Sequence, residues 1–109
     1  MVEIDYKNKQ IKSICLYDKE AQKALGSPIA KKLQRRLADI DSANNVGELV
    51  AGRPHPLIGD REGQFALDIG GGARLVFEPD EPIPRLDDES INWGLVGEIT
   101  IVFIGNYHD

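Results

Sequence analysis

Val2-Glu3-Ile4-Asp5-Tyr6 alternates apolar and acidic residues with a period of two, the pattern of a strand with one buried face. From Asn8 the period changes. Ile11, Ile14 and Cys15, then Ala21, Ala24 and Leu25, recur at three- and four-residue spacing, which predicts one helix capped by Asn8 and stopped by Gly26. Ser27-Pro28 then offers a capping oxygen and the one residue whose missing N–H costs nothing at the first helical position. The second helix carries Ile29, Ala30, Leu33, Leu37 and Ile40 in one stripe, with Lys31, Lys32, Arg35, Arg36 and Asp39 over most of the remaining surface. It should fray near Asn44 and Asn45.

Val46 to Ala51 reads as a short helical turn, and Gly52, Pro54, Pro56 and Gly59 make the stretch around His55 a constrained loop. Gln64 to Ile69 and Ala73 to Phe77 are strand-like, with Gly70-Gly71-Gly72 as the hairpin turn between them. Prolines 79, 82 and 84 among six carboxylates predict an exposed connection over 78–89, and Glu98 to Ile104 is the strongest strand. The order predicts a single α+β domain over 1–109: a mainly antiparallel sheet of about four strands, with the two N-terminal helices on one face. The other face is left for a substrate or a protein partner.

At 109 residues, with 41% hydrophobic and 28% charged positions, the chain suits one folded domain and excludes a disordered segment. A single cysteine, Cys15, cannot staple a miniprotein, which points to a reducing compartment. Met1 to Asp5 has neither the basic start nor the apolar stretch of a signal peptide, and no apolar run approaches a membrane span. The expected location is the cytoplasm, with no membrane association. The net charge of −5 is unevenly distributed. Through Arg53 there are ten basic and seven acidic residues, and from Pro54 onward three basic and eleven acidic. The chain as a whole therefore has no general attraction for a nucleic acid duplex.

Only two histidines are present, His55 and His108, and histidine is the side chain best suited to proton transfer near neutrality. Arg74 alternates with Leu75 and Phe77, so it faces away from them. It wants an anion there, either a ligand or Asp68 across the hairpin. Arg61 adds a nearby cation. One cysteine and two distant histidines do not make a zinc site, and the glycine run lacks the Lys-Ser/Thr of a phosphate-binding loop. No metal or cofactor is expected. Asp87-Asp88 reads as a solvated turn; Trp93 and Phe65 could stack bases, but a lone tryptophan is more often a packing anchor.

The segment His55-Pro56-Leu57-Ile58-Gly59-Asp60-Arg61-Glu62-Gly63-Gln64-Phe65-Ala66-Leu67, with Ala73-Arg74-Leu75-Val76-Phe77-Glu78 and the closing Asn106-Tyr107-His108, resembles the HigB-like (proteic killer) branch of the RelE/ParE toxin superfamily of bacterial toxin–antitoxin pairs. The resemblance covers essentially the whole chain. It implies a ribosome-dependent, metal-independent messenger RNA endonuclease that uses the RNA 2′-hydroxyl as nucleophile. His55 and His108 match positions serving as acid and base, Arg74 would hold the phosphate, and Tyr107 would orient or stack beside it. Arg61 and Arg53 are the expected further RNA contacts. Implied partners are a HigA-like helix-turn-helix antitoxin, the ribosome and mRNA, and operator DNA through the antitoxin only. The chain has Ile58 where many relatives carry lysine, Ala73 where they carry an aromatic residue and Asn106 where they carry aspartate. The alternative is a non-nucleolytic toxin-fold protein, a ParE-like inhibitor of a protein target or a member that only binds antitoxin. The nuclease reading predicts that His55, Arg74, Tyr107 and His108 converge on the sheet face opposite the helices.

Overall fold

A computed structural model of the chain describes residues 1–106, and Tyr107 and His108 lie outside the described residues. The elements run β1 (Glu3–Tyr6), α1 (Lys9–Leu16), α2 (Asp18–Leu25), α3 (Ser27–Ser42), β2 (His55–Pro56), β3 (Phe65–Gly70), β4 (Ala73–Pro79) and β5 (Glu98–Gly105), with short 3-10 turns at Val46–Glu48, Gly59–Arg61 and Trp93–Leu95. The strands form one sheet in the order β1-β5-β4-β3-β2. All neighbours are antiparallel except β1 and β5, which pair in parallel with Ile4 beside Ile99.

The α+β class, the helices on one face and the four longer strands match the sequence-based expectation. Three details differ. The first predicted helix is two, because Tyr17 is extended (φ −121°, ψ 113°) between α1 and α2. Asp18 and Glu20 fall in the first turn of α2, where carboxylates favour a new helix start, and Gln34 of α3 donates to the Cys15 carbonyl near the end of α1. Ser27 is not a cap: Gly26, at φ 84°, ends α2 and directly precedes α3, and no side chain caps that start. Among the described residues the sheet has five strands, against about four expected, since His55-Pro56 in the predicted loop pairs with β3. Asn8 caps α1 as expected, accepting from the Ile11 N–H at 2.9 Å.

Gly71 and Gly72, with φ 59° and 80°, form the two-residue turn of the β3–β4 hairpin, the double positive φ that a tight hairpin demands. It puts Phe65 opposite Phe77 and Leu67 opposite Leu75. These side chains, with Ile99 and Ile101 of β5, pack against Ala30, Leu33 and Ile40 of α3, Ile11 and Cys15 of α1 and Ala21 of α2. Trp93 is a packing anchor as expected, its ring centroid 4.7 Å from that of Phe65. Phe65, buried and stacked on Phe77, is not placed to meet bases.

The α3 stripe carries the largest share of the helix-side burial. Leu33→Ala should cost about 2–5 kcal/mol of unfolding free energy in urea denaturation. Leu16→Ala, at a half-exposed position, should stay within about 0.5 kcal/mol.

Candidate active site on the open sheet face

The alternation that fills the core also builds the opposite face. Between the core positions of the hairpin, Ala66 pairs with Val76 and Asp68 with Arg74. Ala66 also opposes His55 of β2, and Val76 opposes Phe103 of β5, so His55, Ala66, Val76 and Phe103 form one row across the sheet. Ala66 and Val76 are buried yet belong to no part of the helix-side core, giving this face a small apolar floor. Arg61, carried by the Gly59–Arg61 turn, stands over the Phe103 ring with its guanidinium carbon 4.6 Å from the centroid, a cation–π contact. Its Nη1 donates to Gln64 Oε1 at 3.1 Å.

Asp68 organises the next row. Its Oδ1 lies 3.2 Å from Arg74 Nε and its Oδ2 3.3 Å from Arg53 Nε. The Asp68 and Arg74 side chains are each 30% exposed, whereas Arg53 is 78% exposed. The Arg74 pair is thus partly shielded from solvent and the Arg53 pair is screened by it. The carboxylate expected across the hairpin thus pairs with Arg74. One carboxylate between two guanidinium groups aims both and leaves a net positive charge.

The approach to His55 depends on an unusual backbone turn. Gly52 has φ 83° and Arg53 φ 50°, a left-handed pair in which a non-glycine residue is uncommon. The Gly52 carbonyl accepts from the Asp68 N–H at 2.6 Å. A Cβ on Gly52 would sit 3.0 Å from the Asp68 carbonyl oxygen and 3.0 Å from Arg36 Cδ, so the close approach requires glycine. The turn brings the Arg53 carbonyl to 2.6 Å from His55 Nδ1. A carbonyl can only accept, so Nδ1 carries the proton and Nε2 of the neutral ring keeps a lone pair.

His55, Arg53, Arg61 and Arg74 therefore share one face, and of the four residues expected to converge there only His55 and Arg74 lie among the described residues. Tyr107 and His108 fall outside the described residues, and Asn106 before them is exposed. Ile58 is 85% exposed, whereas Ala73 is buried in the helix-side core, so only the first of those two departures concerns the surface. Sequence reasoning weighed Asp68 only as a partner for Arg74 and missed its second arginine. It also missed Phe103, whose signal was an aromatic residue on the outward phase of β5. A concavity of about 1070 Å³ lies beneath the connection between β4 and β5 and is lined by six carboxylates, Arg85 and apolar residues that include Trp93. Its charge disfavours a polyanion.

Other titratable groups lie outside this face. Burial pushes the Cys15 thiol up to about 12, which makes it a core residue and not a nucleophile. Burial, followed by the charges of Cys15 and Asp5, raises Tyr6. The hydroxyl and N–H of Ser90 hold the Asp88 carboxyl below its usual range within the solvated turn. Among the described residues no three His, Cys, Asp or Glu side chains are grouped to hold a metal, and no helix is long and apolar enough to cross a membrane.

Comparison with protein-family models finds no match. Structural comparison gives the fold: the YoeB–YefM complex from Staphylococcus aureus aligns with a TM-score of 0.59 at 17% identity, covering 100% of this chain and 99% of that chain. YafQ from E. coli strain BL21(DE3) aligns at 0.60 and 15% identity, covering 97% and 93%, and a YoeB/ParE toxin from Agrobacterium tumefaciens at 0.60 and 11%, covering 98% and 100%. Helices on one side of an open, mainly antiparallel sheet are thus a fold that this chain shares with these proteins. Sequence narrows this further, since the Endoribonuclease HigB of Proteus vulgaris is 31% identical over 75 residues, 67% of this chain and 79% of that protein. The chain belongs to the HigB family of toxin–antitoxin toxins.

Because the folded state favours the protonated Cys15 thiol, stability should be flat at neutral pH and fall as pH rises from about 9, the ordinary thiol value, toward about 12. Thiol labelling at pH 8 should be slow in buffer and complete within minutes in denaturant.

Proposed function

We propose that this protein is the toxin of a type II toxin–antitoxin pair and cuts messenger RNA in the ribosomal A site. The observation that supports this best is the placement of His55 and three arginines on one open sheet face, arranged by Asp68 and Phe103. The 2′-hydroxyl of the RNA attacks the adjacent phosphorus, and the 5′-oxygen of the next nucleotide leaves. His55 Nε2, unprotonated in the neutral ring, suits the base that removes the 2′-hydroxyl proton. His108 is the proposed acid for the leaving oxygen, and Tyr107 the group that orients or stacks against the substrate. Arg74 offers its guanidinium to the pentacoordinate phosphate, where a preplaced cation stabilises developing charge most. Arg53 and Arg61 hold flanking RNA. No metal takes part in these steps.

The protein acts in the cytoplasm and is held inactive by a helix-turn-helix antitoxin of the HigA type. The Staphylococcus relative is a complex with the protein YefM, and a cognate antitoxin is the corresponding partner here. Operator DNA is bound by the pair and not by this acidic chain alone. One observation favours a second reading: Asp68 already occupies both Arg53 and Arg74, as it would in a member that has kept the fold and antitoxin binding but lost cleavage.

Induced expression followed by mapping of RNA ends, with and without ribosomes, tests the nuclease reading. His55→Ala, His108→Ala and Arg74→Ala should each reduce cleavage about 100- to 10,000-fold and relieve growth arrest, and chelators should change nothing. Growth arrest that persists in the double histidine variant would move the assignment to the non-nucleolytic alternative.

A further inference from the structure

A second concavity, about 520 Å³, opens where the β3–β4 turn meets α3. Four cations line it: Lys32 and Arg36 from α3, Arg53 from the left-handed turn and Arg74 from β4, against Asp68 alone. Asp39 tempers Arg36 from outside the lining, with its Oδ2 3.6 Å from Arg36 Nε. The floor has almost no side chains, because Gly70, Gly71 and Gly72 form it. That bareness lets the cations lie against backbone. A Cβ on Gly70 would meet Lys32 Cδ at 3.3 Å and Lys32 Nζ at 3.6 Å, and one on Gly52 would meet Arg36 Cδ at 3.0 Å. The cleft is therefore a cationic trough whose shape depends on glycine at two separate places in the chain.

We propose that this trough is a second phosphate-binding site for RNA, taking backbone phosphates that flank the one at Arg74. The inference rests on the reading of the open face as an RNA site and adds the path of the strand beyond it. Arg53, Asp68 and Arg74 belong both to the trough and to the open face, so a ligand leaving Arg74 toward α3 stays on positive surface. A lone small anion in the trough would have to settle beside the Asp68 carboxylate. A chain of phosphates can straddle it, with one group at Arg74 and the next at Lys32 and Arg36. Lys31, the preceding residue on α3, is exposed and does not line the trough, so charge on the helix in general is separable from charge in the cleft.

The test uses a single-stranded 2′-O-methyl oligoribonucleotide, which binds but cannot supply the nucleophile, measured by fluorescence anisotropy between 50 and 200 mM salt. Lys32→Ala should weaken binding about 5-fold at low salt and reduce the salt slope by about 0.7, the loss of one phosphate contact to a single strand. Lys31→Ala should leave the slope unchanged. Arg36→Gln, which keeps the stem as far as Cδ and removes the charge, should reproduce the Lys32 effect with the thermal unfolding midpoint as control. Wild-type binding with no difference between Lys32→Ala and Lys31→Ala overturns the trough and leaves the nuclease reading standing. Lys32-dependent binding by a protein that cuts no RNA, with or without ribosomes, keeps the trough and overturns the nuclease. Absence of wild-type binding across the salt range counts against the trough and the RNA-bearing open face together.

Discussion

Everything on both faces of the sheet depends on the phase of one strand pair, β3 with β4. Phe65, Leu67, Leu75 and Phe77 point to the helices only because Asp68 and Arg74 point away, and a slip of one residue would exchange the two sets. The Gly71-Gly72 turn fixes that phase from one end, and the buried apolar residues enforce it along the length. The core and the guanidinium cluster are thus two outcomes of a single choice of register. Burying Phe77 correctly and presenting Arg74 correctly cannot be separated.

Much of this was written locally in the chain and could be read there. The α3 stripe, the glycine hairpin, the outward Arg74 and the strength of the last strand each follow from spacing within ten residues or so. The break at Tyr17 did not show, because Ile11, Cys15, Ala21 and Leu25 stay in helical phase across it and only the acidic start of α2 marks the new helix. His55-Pro56 was hidden for the opposite reason: a two-residue strand has no period to detect, and its pairing with Phe65 and Ala66 is a tertiary fact. The parallel pairing of β1 with β5 is equally non-local. In the site, residue types were legible and partnerships were only half so. Arg74 and Asp68 could be matched across the hairpin, but the second claim on Asp68 by Arg53 needed the left-handed turn at Gly52-Arg53.

Net charge is a poor guide to what this surface can meet. The carboxylates of the connection between β4 and β5 collect around the large apolar-floored cleft, while Lys32, Arg36, Arg53 and Arg74 collect around the glycine turn. At physiological salt, exposed charges more than about 8 Å apart act nearly independently. A polyanion approaching the turn responds to the local cations more than to the total of −5.

The placement of β5 carries a consequence for how the protein comes into being. β5 lies between β1 and β4, so β1 has no strand to pair with until β5 has been synthesised. Gly105 beside Arg74 and Phe103 beside Val76 arrive at the same late moment. Pairings this distant in sequence close slowly compared with the local helices and hairpin. A nascent chain can therefore form α3 and the β3–β4 hairpin while its open face is still missing a strand. The open face is in this way the last part of the sheet to be completed.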